Sequence, residues 1–249
     1  MTALILALIA GAVVGLMLGA LGGGGSVLAV PALIYLLGFT PASATTASLI
    51  IVTATSLTAL YAHARAGRVR WKAGAAFAAA GILPAAVAGA ASAHLPQAVL
   101  TLAFAAIVAL SALKMLRPAD TARPKDGGVR PGKAAGAGAA LGTLTGLLGV
   151  GGGFLAVPAL VTVLAFEMEA AVGTSLLVIT ANSLASLATR SGTAASVDWA
   201  LIGPFIGTAI LGAWDGKRIA AKVSASHLQR IFAVVLLAVA AFMLADAVT

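Results

Sequence analysis

The 249-residue chain has no cysteine, seven acidic residues and only 9% charged residues in all. Each shortage excludes something. Without cysteine there is neither a disulfide framework nor a thiolate metal site. A soluble domain carries about 25% charge; here 61% of the residues are hydrophobic, and too little polar surface is left to cover a water-soluble core. The acids are Asp120, Asp126, Glu167, Glu169, Asp198, Asp215 and Asp246, and none falls in the middle of an apolar segment. Buried carboxylates mark many cation pumps and proton relays, so a cation cargo would find no counter-charge. No Ser, His and Asp cluster suggests a hydrolytic triad. His63, His94 and His227 are too far apart in sequence to suggest a metal motif and read as interfacial, with His63 the one candidate for proton-linked gating. The run "GGGGS" lacks the lysine of a phosphate-gripping loop. The chain reads as a non-enzyme without cofactor or metal.

What is present is length and grease. Apolar segments cover roughly 2–20, 26–38, 43–63, 72–91 and 97–115, then 134–148, 154–166, 170–189, 198–214 and 228–246. Several approach the roughly 20 residues that a membrane-crossing helix needs. The opening "MTALILALIA" has no basic leader and no typical cleavage stretch, so it reads as part of the mature protein. The net charge of +8 is not spread as a nucleic-acid surface would be. Arg65, Arg68, Arg70 and Lys72 share one loop. Lys114, Arg117, Arg123, Lys125, Arg130 and Lys133 fall in a second, and Lys217, Arg218, Lys222 and Arg230 in a third.

The chain also repeats itself. "LAVPAL" occurs at Leu28–Leu33 and again at Leu155–Leu160, each time just after a glycine run, Gly22–Gly25 or Gly149–Gly153. The same offset of 127 places Ser48 on Ser175, Thr53 on Thr180, Ser56 on Ser183 and Leu57 on Leu184; after a slip of one, Trp71 falls on Trp199. An internal repeat fixes architecture before any local reading. It divides the chain into a first repeat, 1–115, a basic linker, 116–133, and a second repeat, 134–249. Either each half opens with one broken helix and the halves are parallel, or its first two segments form a hairpin and the halves are inverted. Only the inverted arrangement puts all three basic loops on the cytoplasmic side, leaving Arg190 alone outside. The expected fold is therefore an all-α polytopic membrane protein of two inverted-topology repeats, with glycine-broken half-helices or re-entrant hairpins whose tips point at each other from opposite faces. Both chain ends lie outside.

Irregular backbone at membrane depth is tolerated where it is buried in protein or lines a wet cavity. Each glycine run leads into a helix whose first N–H groups are free, a place of partial positive charge suited to an anion. Gly24, Gly25, Ser26, Gly152 and Gly153 are the candidate donors. Pro31 and Pro158, inside the short helices, would shape them. The following helix adds hydroxyls, of which Thr46, Ser48, Ser175 and Asn182 are the candidate contacts; the competing use of such hydroxyls is bonding to their own helix or to a neighbouring one. Scattered glycines such as Gly11, Gly15 and Gly89 read as packing positions.

The doubled segment, Gly22–Gly25 with Pro31 and Leu33, then Gly149 and Gly151–Gly153 with Pro158 and Leu160, resembles the sulfite exporter TauE/SafE family, also called 4-toluene sulfonate uptake permeases. Val150 stands where the first run has Gly23. The resemblance implies a secondary transporter, in the bacterial inner membrane, of a small anion such as sulfite, a sulfonate or a related organic acid. Direction is not implied, because the family includes importers and exporters. An anion channel and a structural or assembly membrane protein are the alternatives. The partners expected are the anion, the lipid bilayer, a coupling proton or cation and a second copy in a homodimer; nucleic acid is not expected.

Overall fold

The computed structural model describes residues 2–21, 24–92, 131–148, 153–189, 198–220 and 222–248, with isolated positions between 102 and 116. Gly22, Gly23, Gly149–Gly152, most of the 97–115 segment, the linker residues 117–130, His94 and Arg190 lie outside the described residues. Regular structure among the described residues is entirely helical, as a chain in lipid requires: a helix satisfies its own backbone where no water can.

The helices are α1 Thr2–Leu21, α2 Gly24–Pro31, α3 Pro41–Arg65, α4 Trp71–Ser92, α5 Pro131–Leu148, α6 Gly153–Thr162, α7 Met168–Thr189, α8 Trp199–Ala220 and α9 Ala225–Val248. Pro31, which has no N–H to give, is followed by a wider π turn, Ala32–Leu36. Among the described residues, three segments, Thr2–Leu21, Thr46–Arg65 and Met168–Ala185, are long and apolar enough to cross a membrane. The outer surface is apolar as well: Ile5, Ile9, Val13, Leu83, Leu211 and Val234 are all exposed, a surface that suits lipid rather than water. Exposed Tyr61, Trp71 and Trp214 lie at the end of the bundle that carries the first basic loop, where aromatic side chains anchor at a membrane interface.

Local signals explain the ends. Thr40 caps α3, its hydroxyl accepting from the Ser43 amide at 3.4 Å, with Pro41 at the first helical position. Asp198 caps α8, its carboxylate accepting from the Ala200 amide at 3.0 Å. Gly67, at φ +70°, turns the chain after α3.

The two short helices that carry the identical "LAVPAL" segments end in the same kind of backbone turn. The Phe39 amide donates to the Leu33 carbonyl at 3.0 Å, and the Phe166 amide to the Leu160 carbonyl at 3.1 Å. Both turns need a positive φ: Gly38 supplies it at +70° and Ala165 at +52°. Left-handed backbone costs a residue with a Cβ about 1–2 kcal/mol. Ala165→Gly should therefore recover up to about 1 kcal/mol and raise the detergent-solubilised melting temperature, whereas Gly38→Ala should lower it.

Packing follows a crossed pattern. Gly11, Gly15 and Gly19 of α1 press on Phe205, Ala209 and Ala213 of α8, so these helices run parallel; a Cβ on Gly15 would enter the Ala209 backbone. Gly138 and Gly142 of α5 press in the same way on Phe77 and Gly81 of α4. The two seams are repeat mates: Gly11 corresponds to Gly138 and Gly15 to Gly142 at the offset of 127, Phe77 to Phe205 and Gly81 to Ala209 at 128. Small residues let backbones touch where the surroundings are as apolar as the side chains. Gly11 and Gly15 thus act in packing; Gly89 is among the residues whose surroundings are not described.

Candidate substrate path

α3 and α7, themselves repeat mates, cross at the centre of the bundle in opposite senses. Ser56 meets Thr180, their hydroxyl oxygens 3.0 Å apart. Further along α3 and into its loop, the Arg70 amide meets the Thr174 hydroxyl at 3.1 Å, and Arg68 packs on Gly173 and pairs with Glu169 at 3.1 Å. The Lys217 Nζ of α8 donates to the Ala62 carbonyl at 2.6 Å, holding α8 to the same end of α3. Lys217 falls inside α8 rather than in a loop, so the segment expected to stop near 214 continues to Ala220. Beside it His63 is buried, and neither ring nitrogen has a hydrogen-bond partner.

Register sets the depth of each candidate. Ser48 lies eight residues before Ser56, about 12 Å at 1.5 Å per residue, and Ser175 lies five before Thr180, about 7.5 Å. Because α3 and α7 are antiparallel, the two serines fall on opposite sides of the crossing, roughly 20 Å apart along the bundle. Thr46 sits with Ser48, buried at that far end, and Asn182 sits at the crossing itself.

The glycine turns are also spread apart. α1 ends just beyond Gly19, which lies on Ala213, one turn from Lys217. Gly24, Gly25 and Ser26 therefore open α2 near the end that carries the first basic loop. α4 leaves that loop and α5 runs parallel to it, so Leu148 lies toward the opposite end, and Gly153 opens α6 there. The sequence reading had the tips pointing at each other from opposite faces; Gly24 and Gly153, the described edges of the two turns, lie toward opposite ends of the bundle. α1 is twenty residues long, about 30 Å, and carries its turn across the bundle. α2 and α6 touch between the two ends, and Leu28 packs against both hydrophobic cores. Pro31 is half-buried and Pro158 buried, each within its short helix. Gly152 lies outside the described residues.

Most hydroxyls along the crossing donate to their own helix. Thr53 bonds Leu49 at 2.7 Å, Thr55 bonds Ile51 at 2.7 Å, Thr58 bonds Ala54 at 2.8 Å, Ser175 bonds Val172 at 2.8 Å and Thr180 bonds Leu176 at 2.7 Å. Two groups differ. Asn182 Oδ1 and Ser183 Oγ are buried with no hydrogen-bond partner, a state that costs about 1–3 kcal/mol per group. Ser183 was not singled out in the sequence as a site residue. Its correspondence with Ser56 was readable; that only one of the two would find a partner was not. Among the described residues, no group of three or more His, Cys, Asp or Glu could hold a metal ion.

A multi-pass, all-helical membrane protein with buried, unpartnered polar atoms at its centre is the class these features define. The family model described as "Sulfite exporter TauE/SafE" matches residues 7–243. The chain belongs to the sulfite exporter TauE/SafE family. It is 35% identical over 248 residues to a "Probable membrane transporter protein" of Xylella fastidiosa strain 9a5c, an alignment covering 97% of this chain and 95% of the relative. It is 33% identical over 249 residues to a protein of the same description from strain Temecula1 / ATCC 700964, with the same coverage. No solved structure matches.

Proposed function

We propose that the chain is a secondary transporter of a small anion, sulfite or a sulfonate in the first instance, in the bacterial inner membrane. The observation that carries the reading is the α3–α7 crossing: repeat-related helices run in opposite directions, and polar atoms without partners are buried at mid-helix. Inverted halves around a central polar site are a recurrent transporter plan. The antiparallel run of α3 and α7 argues for inverted over parallel repeats, because parallel repeats would carry equivalent helices in the same direction. The family and the description of the Xylella proteins support transport rather than catalysis.

In this reading the first turn of α2, with the Gly24, Gly25 and Ser26 amides, draws the anion in at the basic end. The Gly152–Gly153 amides do so at the other. Ser175 and the pair Thr46 and Ser48 line the approaches, Asn182 contacts the anion at the crossing, and Pro31 and Pro158 fix the bend of the short helices.

Reconstituted into liposomes, the protein should show saturable uptake of sulfite or a sulfonate that is accelerated by the same anion on the far side. Non-saturating conductance would indicate a channel, and no flux across a broad anion panel a structural role. Single cysteines introduced in 64–71 and in 216–226 should both be shielded from an external thiol reagent. Rapid external labelling of 216–226 would restore parallel repeats.

A further inference from the structure

We propose that Ser56–Thr180 and Thr53–Ser183 form a two-position hydrogen-bond switch at the α3–α7 crossing, with one pair closed in each of two access states. The proposal rests on the transport reading and gives its central site a moving part.

The offset of 127 maps Thr53 onto Thr180 and Ser56 onto Ser183. A contact between Ser56 and Thr180 therefore has one repeat mate, Thr53 with Ser183. The structure contains the first and not the second. Ser56 Oγ lies 3.0 Å from Thr180 Oγ1 and 3.3 Å from the Thr53 carbonyl. Ser183 Oγ, equally buried, has no partner at all. The two threonines behave alike: Thr53 donates to Leu49 and Thr180 to Leu176, both at 2.7 Å, and Leu49 and Leu176 are themselves repeat mates.

This fixes the direction of the bonds. Thr180 gives its hydrogen to Leu176, so in the Ser56–Thr180 contact Ser56 is the donor, its one hydrogen shared between Thr180 at 3.0 Å and the longer contact to the Thr53 carbonyl at 3.3 Å. A hydroxyl oxygen has two acceptor lone pairs, and Thr53, having given its hydrogen to Leu49, is equipped to accept from Ser183 in the same way. Both halves hold the same lock, and one is engaged. In a protein of two inverted repeats, exchanging the conformations of the halves turns one access state into the other. That exchange opens Ser56–Thr180 and closes Thr53–Ser183. One bond breaks and an equivalent bond forms, so neither state is strongly favoured, as a carrier that must visit both requires.

The native chain has no cysteine, which makes the test direct. The pairs Ser56→Cys with Thr180→Cys and Thr53→Cys with Ser183→Cys are each oxidised in proteoliposomes. Each should form a disulfide and block anion exchange, and reduction should restore it. The four-cysteine variant should give one disulfide per chain. Two disulfides in one chain, or no 53–183 disulfide in membranes where 56–180 forms, would overturn the switch. A readout free of transport uses a reporter, Ser175→Cys, labelled from the basic-loop side. Ser56→Ala and Ser183→Ala should move its labelling rate in opposite directions, each about fivefold, the worth of one ordinary hydrogen bond. Shifts in the same direction, or none, count against it. Anion exchange without a 53–183 disulfide sinks the switch alone. A disulfide in each of the two double-cysteine variants, with one per chain in the four-cysteine variant, but no exchange of any anion by the parent protein sinks the transport reading alone.

Discussion

Gly15→Leu and Gly142→Leu should each leave no folded protein to purify. A Cβ at Gly15 would enter the Ala209 backbone, and one at Gly142 the Gly81 backbone. Overpacking a core costs about 1–3 kcal/mol when side chains can shift to relieve it. Here the obstacle is main chain, so relief requires the helices to separate, and the loss should exceed about 3 kcal/mol. Gly136→Leu in α5 and Gly207→Leu in α8 are the matched controls, because both glycines face open space. The check is yield and monodispersity after detergent extraction, followed by thermal melting. A Gly15→Leu protein that is extracted and melts like its Gly207→Leu control would mean that the α1–α8 seam is not the bundle's framework.

Asn182→Asp should abolish anion flux while sparing the fold. The two side chains are nearly the same shape, so packing around α7 changes little. A carboxylate about 4 Å from an anion costs about 4 kcal/mol at an effective dielectric constant of 20. That is about a thousandfold in affinity. Asn182→Ala, which removes one contact, should cost about tenfold, and Thr58→Ala less, since Thr58 donates to its own helix at Ala54. Initial flux rates across an anion concentration series would check this. If Asn182→Asp transports as well as the parent, the anion does not pass the crossing.

Much of the framework was readable from local chemistry. Apolar runs such as 43–63 and 170–189 anticipate α3, Pro41–Arg65, and α7, Met168–Thr189, because lipid forces an apolar run to become helix. α8 ran past its apolar segment to Ala220, because a helix does not stop at the edge of the lipid: Lys217 sits on the helix and folds back to the Ala62 carbonyl. Helix partners were less readable. Glycines four apart mark α1 as a packing helix, but nothing local says that its partner is α8. The hydroxyls were harder still. Thr53, Thr55, Ser56 and Thr58 look alike in the sequence, and only the antiparallel register of α3 and α7 decides that Ser56 reaches across while the threonines bond their own helix.

The crossed seams impose an order of events on synthesis. α1 leaves the ribosome first, yet the surface that its glycines fit belongs to α8, about 190 residues later. At 5–20 residues per second, α1 waits about 10–40 s in the membrane before Phe205 and Ala209 arrive. During that interval its glycine face is open to any passing helix. The first half cannot mature alone, because it holds one member of each seam and neither partner. A chain halted in the linker should therefore persist as inserted but unassembled helices, a natural target for membrane quality-control proteases, until the second half is supplied, even as a separate polypeptide.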